Sequence, residues 1–312
     1  MKDQFNREID YLRVSITQRC NLNCIYCGKS DCNKKQKELS LDEIAQLVEA
    51  FAACGIRKVR VTGGEPLVRQ DVVQIVERIA HTPGVETVGL TTNGVLLEQF
   101  AKPLVEAGLQ SVNISLDSTD GSTYRHLTGA DVLDRVLRGI DAAQDAGLSP
   151  IRINAVLMKG VNADGAAALI RLAETKPVDV RFIELMPFAE YGDVDALRVT
   201  GDELLGQFSF LQPLQAQDGG TAVYYGAPGF LGRVGLISPV SHRFCDRCSR
   251  VRLLCDGTVK PCLAYETVYD LKPYLQNEAA LRTAIQDIIS KKPAGHAFEH
   301  TAPQHGLNRT GG

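Results

Sequence analysis

Apolar positions recur in two alternating rhythms through the first three-fifths of the chain. Ile44, Leu47, Val48 and Phe51 fall at i, i+3, i+4 and i+7, the stripe of a helix buried along one side. Ser40 with Glu43 three residues on is a capping box that starts this helix, and Gly55 supplies its stop. Lys58-Val-Arg-Val-Thr62 follows at once, short and β-branched, and predicts a strand. The phrase then repeats. Gly55, Gly84, Gly108 and Gly147 end helices, and strands are predicted after them at Val59–Thr62, Thr87–Thr91, Ser111–Ser115 and Arg152–Leu157. Leu12–Thr17 opens the series and Val180–Ile183 extends it to six strands, with helical segments such as Val132–Ala146 and Ala163–Glu174 between them. Such alternation predicts right-handed βαβ crossovers and a parallel sheet. Periodicity leaves two α/β architectures open, a partly closed barrel and an open doubly wound sheet.

Beyond residue 187 the rhythm fades. Residues 188–240 predict irregular chain and short antiparallel strands, and a helix is expected near Ala279–Ser290. A boundary is expected near 225, dividing the chain into 1–225 and 226–312. The tail from 292 onward has no periodicity and reads as a frayed terminus.

Composition adds limits. The 312 residues allow one large domain, or one large and one small. No 18-residue apolar run predicts a membrane span, and no basic stretch leads an apolar core, so a cytoplasmic location is expected. The net charge of −3 argues against a dedicated nucleic-acid binder. Nine cysteines change the picture, because four lie in Cys20–Cys32 and four in Cys245–Cys262, with Cys54 alone between. An odd, clumped set in a reducing compartment points to metal or iron–sulfur ligands rather than to disulfides.

The first clump has the spacing C-x3-C-x2-C at Cys20, Cys24 and Cys27, directly after the first strand. Loops at strand C-termini carry the sites of α/β folds. Three thiolates there can hold three irons of a [4Fe–4S] cube and leave the fourth open, whereas a zinc site needs a fourth ligand, which Cys32 could supply. The second clump, Cys245-x2-Cys248-x13-Cys262, again offers three ligands, with a four-cysteine zinc site through Cys255 as the alternative. Arg250 and Arg252 sit between its ligands, two apart, so an extended segment turns both to one side. Guanidinium groups suit phosphate and purine acceptors.

Cys-x3-Cys-x2-Cys with Tyr26 before the third cysteine resembles the signature of the radical S-adenosylmethionine (SAM) superfamily. Thr62-Gly63-Gly64-Glu65-Pro66, Thr91-Thr-Asn-Gly94, Ser115-Leu-Asp117 and Met186 resemble its SAM-binding ladder at successive strand ends. C-x2-C-x-R-x-R-x9-C, with Leu12-Arg13-Val-Ser15-Ile-Thr17, Arg60, Arg181-Phe-Ile-Glu184 and the terminal Gly311-Gly312, resembles one branch, the GTP 3′,8-cyclase family (protein A of molybdenum cofactor biosynthesis). The resemblance implies an incomplete (β/α)6 TIM-like barrel with a small C-terminal iron–sulfur domain. It implies two [4Fe–4S] clusters, at Cys20, Cys24 and Cys27 and at Cys245, Cys248 and Cys262, with SAM on the open iron of the first and GTP at the second. SAM would meet Tyr26, Gly63, Gly64, Glu65, Ser115 and Met186. GTP would meet Arg13, Arg60, Thr91, Arg152, Arg250, Arg252 and the backbone of Val251, with Gly311 and Gly312 as a tail reaching the site.

The implied reaction is abstraction of the ribose 3′ hydrogen by a 5′-deoxyadenosyl radical and closure onto C8, giving (8S)-3′,8-cyclo-7,8-dihydro-GTP. Implied partners are an external electron donor, cyclic pyranopterin monophosphate synthase downstream and a second copy in a homodimer, with no nucleic acid and no membrane. Arg152 stands where the family has lysine, and Gln18 where it has aspartate. Cys32, Cys54 and Cys255 are expected to be non-ligands, and His296, His300 and His305 ordinary surface or packing histidines. Two other readings stand beside this one. One is a radical SAM enzyme with an auxiliary cluster acting on a peptide or other substrate; the other is a non-enzymatic zinc protein or electron carrier, which leaves the strand-end ladder unexplained.

Overall fold

The computed structural model describes residues 1–27, 38–188, 193–215, 220–296 and 298. Six parallel strands follow each other in chain order: β1 (Tyr11–Ser15), β2 (Lys58–Thr62), β3 (Thr87–Thr92), β4 (Ser111–Ser115), β5 (Ile151–Val156) and β6 (Val178–Ile183). Each lies beside its sequence neighbour, so the order never reverses. Right-handed crossovers that always step the same way put every connecting helix on one face, which curls the sheet toward a barrel and excludes the doubly wound alternative.

The crossovers are α1 (Leu41–Ala53), α2 (Val72–Ala80), α3 (Leu97–Glu106), the pair α4 (Gly121–Thr128) and α5 (Leu133–Asp145), and α6 (Ala166–Thr175). Ser40 and Glu43 make both bonds of the expected capping box on α1. The four glycines expected to stop helices all adopt left-handed backbone, φ 99° at Gly55, 91° at Gly84, 96° at Gly108 and 84° at Gly147.

Between residues 188 and 240 the structure is more regular than the sequence suggests. A single turn, α7 (Val194–Leu197), and α8 (Gly201–Gln207) precede β7 (Gln212–Pro213), β8 (Val223–Gly226) and β9 (Val234–Ile237). Thr200 and Glu203 form a second capping box on α8, which seven residues are too few to announce by periodicity. β9 runs parallel to β6, and β8 and β7 fold back antiparallel beyond it. At the other edge β10 (Arg250–Leu253) runs parallel to β1, followed by the antiparallel strands β11 (Thr258–Lys260) and β12 (Tyr269–Asp270). The last helix, α9 (Glu278–Ser290), contacts α1. One twelve-stranded sheet thus runs β12-β11-β10-β1-β2-β3-β4-β5-β6-β9-β8-β7, and residue 225 lies inside β8 within it.

Strand alternation sorts the two faces. Leu12, Val14, Val59, Val61, Leu90, Val112, Ile114, Ile153 and Val251 are buried in the main core with the helices. The alternate positions, Arg13, Arg60, Thr91, Asn113, Arg152, Arg181, Arg250 and Arg252, turn to the concave face. Among the described residues no helix is long and apolar enough to cross a membrane.

Candidate active site between two cysteine loops

Cys20, Cys24 and Cys27 lie on the loop leaving β1, at the C-terminal end of the parallel strands. The chain is pinned there by Asn23 N–H and Ile25 N–H, which donate to the carbonyls of Thr128 and Leu127 at 3.0 and 2.9 Å. Tyr26 is buried and its hydroxyl donates to Asp117 just beyond β4, while Val156 N–H donates to the other Asp117 oxygen at 2.7 Å. Burial pushes the Asp117 carboxyl up to about 6. Burial, then the mutual charge of Cys27, Asp117 and Cys20, raises the Cys24 thiol; burial and Cys20 push Cys27 up to about 12. Thiols that oppose one another's ionisation become thiolates only with a cation among them, so this donor set fits a cationic metal group.

The turn after β2 braces that loop. Gly64 N–H donates to Thr17 O at 2.7 Å and Glu65 N–H to Arg19 O at 2.8 Å. A Cβ on Gly64 would stand 2.4 Å from Arg19 O and 2.5 Å from Gln18 O, so only glycine permits the approach. The Glu65 side chain turns away from solvent and accepts from Leu67 N–H, Thr92 Oγ1 and Asn93 N–H at 2.9, 2.7 and 2.6 Å. Burial still pushes its carboxyl up to about 7. Ser115 closes β4 and Met186 follows β6, at the same end of the strands.

The second cysteine set lies at the opposite end. Cys245 and Cys248 bracket a short turn before β10, and Cys262 follows β11, which returns antiparallel past β10. Burial raises the Cys262 thiol; at Cys248 burial is outweighed by Lys292, Arg250 and Arg7, and the thiol is lowered. Tyr11 pairs with Arg250 at the start of β1, and Ser15 ends it; four steps at ~3.3 Å put about 13 Å of strand between the two loops. Among the described residues no three His, Cys, Asp or Glu side chains converge as ligands of a single metal ion would.

The strands between the loops carry the cations. Arg252, Arg13 and Arg60 are register partners across β10, β1 and β2. Arg60 lies flat across Gly89, where a Cβ would stand 2.6 Å from Nη2, and donates to Tyr11 Oη (2.6 Å), Leu90 O (2.9 Å) and Ser111 Oγ (3.3 Å). Arg250 donates to Thr221 Oγ1 at 2.8 Å, and Arg181 to Asn154 Oδ1 at 2.7 and 2.9 Å. Burial, then Arg252, lowers Arg13; burial, then Arg250, brings Arg252 down to about 10, and burial does the same to Arg181. Burial raises the Tyr11 phenol, but Arg60, Arg13 and Arg250 together outweigh it and bring it down to about 8. A second row, Thr91, Asn113 and Arg152, crosses β3, β4 and β5. Thr91 Oγ1, Asn113 Oδ1 and Arg152 Nε are buried without hydrogen-bond partners, a costly arrangement that a polar ligand in the concave face would relieve. An arginine-rich lumen of this kind can bind a polyanion and exclude water from it.

Most sequence-predicted site residues therefore lie on the concave face of the sheet or on the loops at its two ends. Val251 points its side chain into the core with Leu12, leaving only its backbone to the lumen side. Cys54 and Cys255 are buried, Cys54 in the helix-side core, and His296 packs on Phe298 and meets Pro239 O at 2.6 Å. Cys32, His300, His305, Gly311 and Gly312 lie outside the described residues. Tyr11, Asn113 and Arg181 share the concave face but were not singled out by sequence; for Tyr11 and Asn113 the signal was strand parity, two positions from Arg13 and Ser115.

Two family models match the chain, one described as the radical SAM superfamily over residues 14–173 and one as Molybdenum Cofactor Synthesis C over residues 178–298. Curated GTP 3′,8-cyclases resemble it end to end. That of Alkaliphilus oremlandii is 41% identical over all of both chains, that of Thermodesulfovibrio yellowstonii 41% over all of both, and that of Clostridium acetobutylicum 40% over 99% of this chain and 97% of its own. Among solved structures, Streptococcus suis SuiB aligns with TM-score 0.64 over 93% of this chain and 68% of its own at 14% identity. Methylornithine synthase aligns at 0.52 over 65% and 63% at 16% identity. At such identities the likeness is one of fold.

Proposed function

The chain belongs to the radical SAM superfamily and, within it, to the GTP 3′,8-cyclases, enzymes of the first step of molybdenum cofactor biosynthesis, and from that premise we propose how its residues divide the work. Cys20, Cys24 and Cys27 hold the [4Fe–4S] cluster that the superfamily uses with SAM, and Cys245, Cys248 and Cys262 hold a second. Bound SAM supplies the one-electron chemistry that removes the ribose 3′ hydrogen of GTP, after which C3′ joins C8. Tyr26, Gly63, Gly64, Glu65, Ser115 and Met186 frame SAM at the C-terminal strand ends. Arg13, Arg60, Arg152, Arg250 and Arg252 neutralise the triphosphate and, with Thr91 and the Val251 backbone, orient GTP. We add Asn113, whose buried Oδ1 awaits a donor.

The chain's contribution is positioning: the ribose must face one loop while the base faces the other. One observation carries this reading. The Arg252–Arg13–Arg60 row spans the lumen between two three-cysteine loops at opposite strand ends. In this reading residues 1–225 carry the SAM half and 226–312 the second cluster. Electrons come from an external donor, and the product passes to cyclic pyranopterin monophosphate synthase. The test is an anaerobic assay of the reconstituted protein with SAM, reductant and GTP. It should give 5′-deoxyadenosine and (8S)-3′,8-cyclo-7,8-dihydro-GTP, and Arg250→Ala should lose product with iron content unchanged. A two-cluster protein that makes neither compound refutes the assignment.

A further inference from the structure

Besides Arg252 of the lumen row, three buried cations lie near the second cysteine set, and their charges are met differently. Arg7 pairs with Asp3 at 2.6 Å and donates to the carbonyls of Cys245, Ala294 and Pro293 at 2.8, 2.7 and 2.6 Å. Lys260 faces Glu266 at 4.0 Å. Lys292, 3% exposed, donates to Arg250 O at 2.8 Å and Pro261 O at 2.7 Å and, among the described residues, meets no carboxylate. Those two carbonyls sit on the two arms of the ligand set: Arg250 is two residues past Cys248, and Pro261 directly precedes Cys262. A buried ammonium bonded only to neutral acceptors is costly unless an anion lies close.

We propose that Lys292 is a positioning residue for the second cluster, tying the two arms of its ligand set together and acting as its built-in counterion, which raises its reduction potential. The inference rests on the reading that Cys245, Cys248 and Cys262 hold a [4Fe–4S] cluster. A cube on three thiolates is net negative and becomes more so on reduction, so a fixed nearby cation stabilises the reduced form more than the oxidised one. Arg7 and Lys260 bring their own carboxylates, which cancel much of their effect; among the described residues Lys292 meets none.

The test uses the full-length protein, reconstituted anaerobically and titrated potentiometrically while electron paramagnetic resonance follows each cluster. Lys292→Gln keeps two N–H donors for the two carbonyls and loses the charge. Lys292→Arg keeps the charge, and Lys292→Met loses both. The second cluster should shift to a more negative potential in the Gln and Met variants and stay near its original potential in the Arg variant. The first cluster should not move in any of them. A Lys292→Gln protein whose second cluster keeps the original potential overturns the inference and leaves Lys292 a strut, whether or not Lys292→Met folds. An unaltered chain that holds about four irons instead of about eight overturns the two-cluster reading itself, so the two failures are told apart.

Discussion

Arg60 owes its place to a neighbour without a side chain. Its guanidinium occupies the space a Cβ on Gly89 would fill. Gly89→Ala should therefore displace Arg60 from Tyr11, Leu90 and Ser111 while leaving both cysteine loops intact. A charged hydrogen bond is worth about 1.5–3 kcal/mol, so GTP should bind roughly 10–100-fold more weakly at unchanged iron content, measured by equilibrium binding. Glu65 gives a pH signature. Its folded carboxyl titrates at about 7 against an ordinary 4.5, so the folded state binds the extra proton and loses stability as pH rises through that window. The stability of Glu65→Gln relative to the unaltered protein should improve by at most roughly 3 kcal/mol between pH 4.5 and 7. Urea unfolding at each pH reads this, and a flat difference means that the folded carboxyl titrates no higher than the unfolded one. The two cysteine sets stand out in the sequence because their spacing is local. The place of Tyr11 and Asn113 beside the polar side chains of neighbouring strands does not, because it is set by register with strands tens of residues away.

The helices of the first half announce themselves because each carries its own start, stripe and stop. Ser40→Ala on α1 should cost about 1 kcal/mol by urea unfolding, the usual worth of a side-chain cap. Nothing comparable marks β9 or β10. Each is four residues long, and their pairing with β6 and β1 is decided by contacts the local sequence does not contain. Arg250 and Arg252 could be read as facing one way, but not as lying beside Tyr11 and Arg13. On α9, Leu281 and Ile285 are fully buried, and this helix sets the position of the chain through Lys292. Ile285→Ala should cost about 2–5 kcal/mol and lower the iron retained at the second set before that at the first, followed by iron-resolved thermal melts.

Across the whole molecule, the parts on either side of residue 225 share one sheet, since strands from the last third extend both of its edges. Composition could not show this, because a sheet continues through any sequence that alternates correctly. The start and the late part of the chain also meet. Arg7, held by Asp3, binds carbonyls on the Cys245 loop and at residues 293 and 294. Asp3→Ala strands that buried guanidinium, so a loss of roughly 3–5 kcal/mol is expected, with second-set iron falling first. The pairing of β1 with β10 has a further consequence, for the order of synthesis. β1 leaves the ribosome more than two hundred residues before its partner, so one of its hydrogen-bonding edges waits, exposed, until β10 has been made. An open edge is an invitation to mispairing, and closure over so long a separation is slow. The nascent protein is thus most vulnerable just before β10 emerges, and chaperone dependence should track the delay in making the residues between β1 and β10.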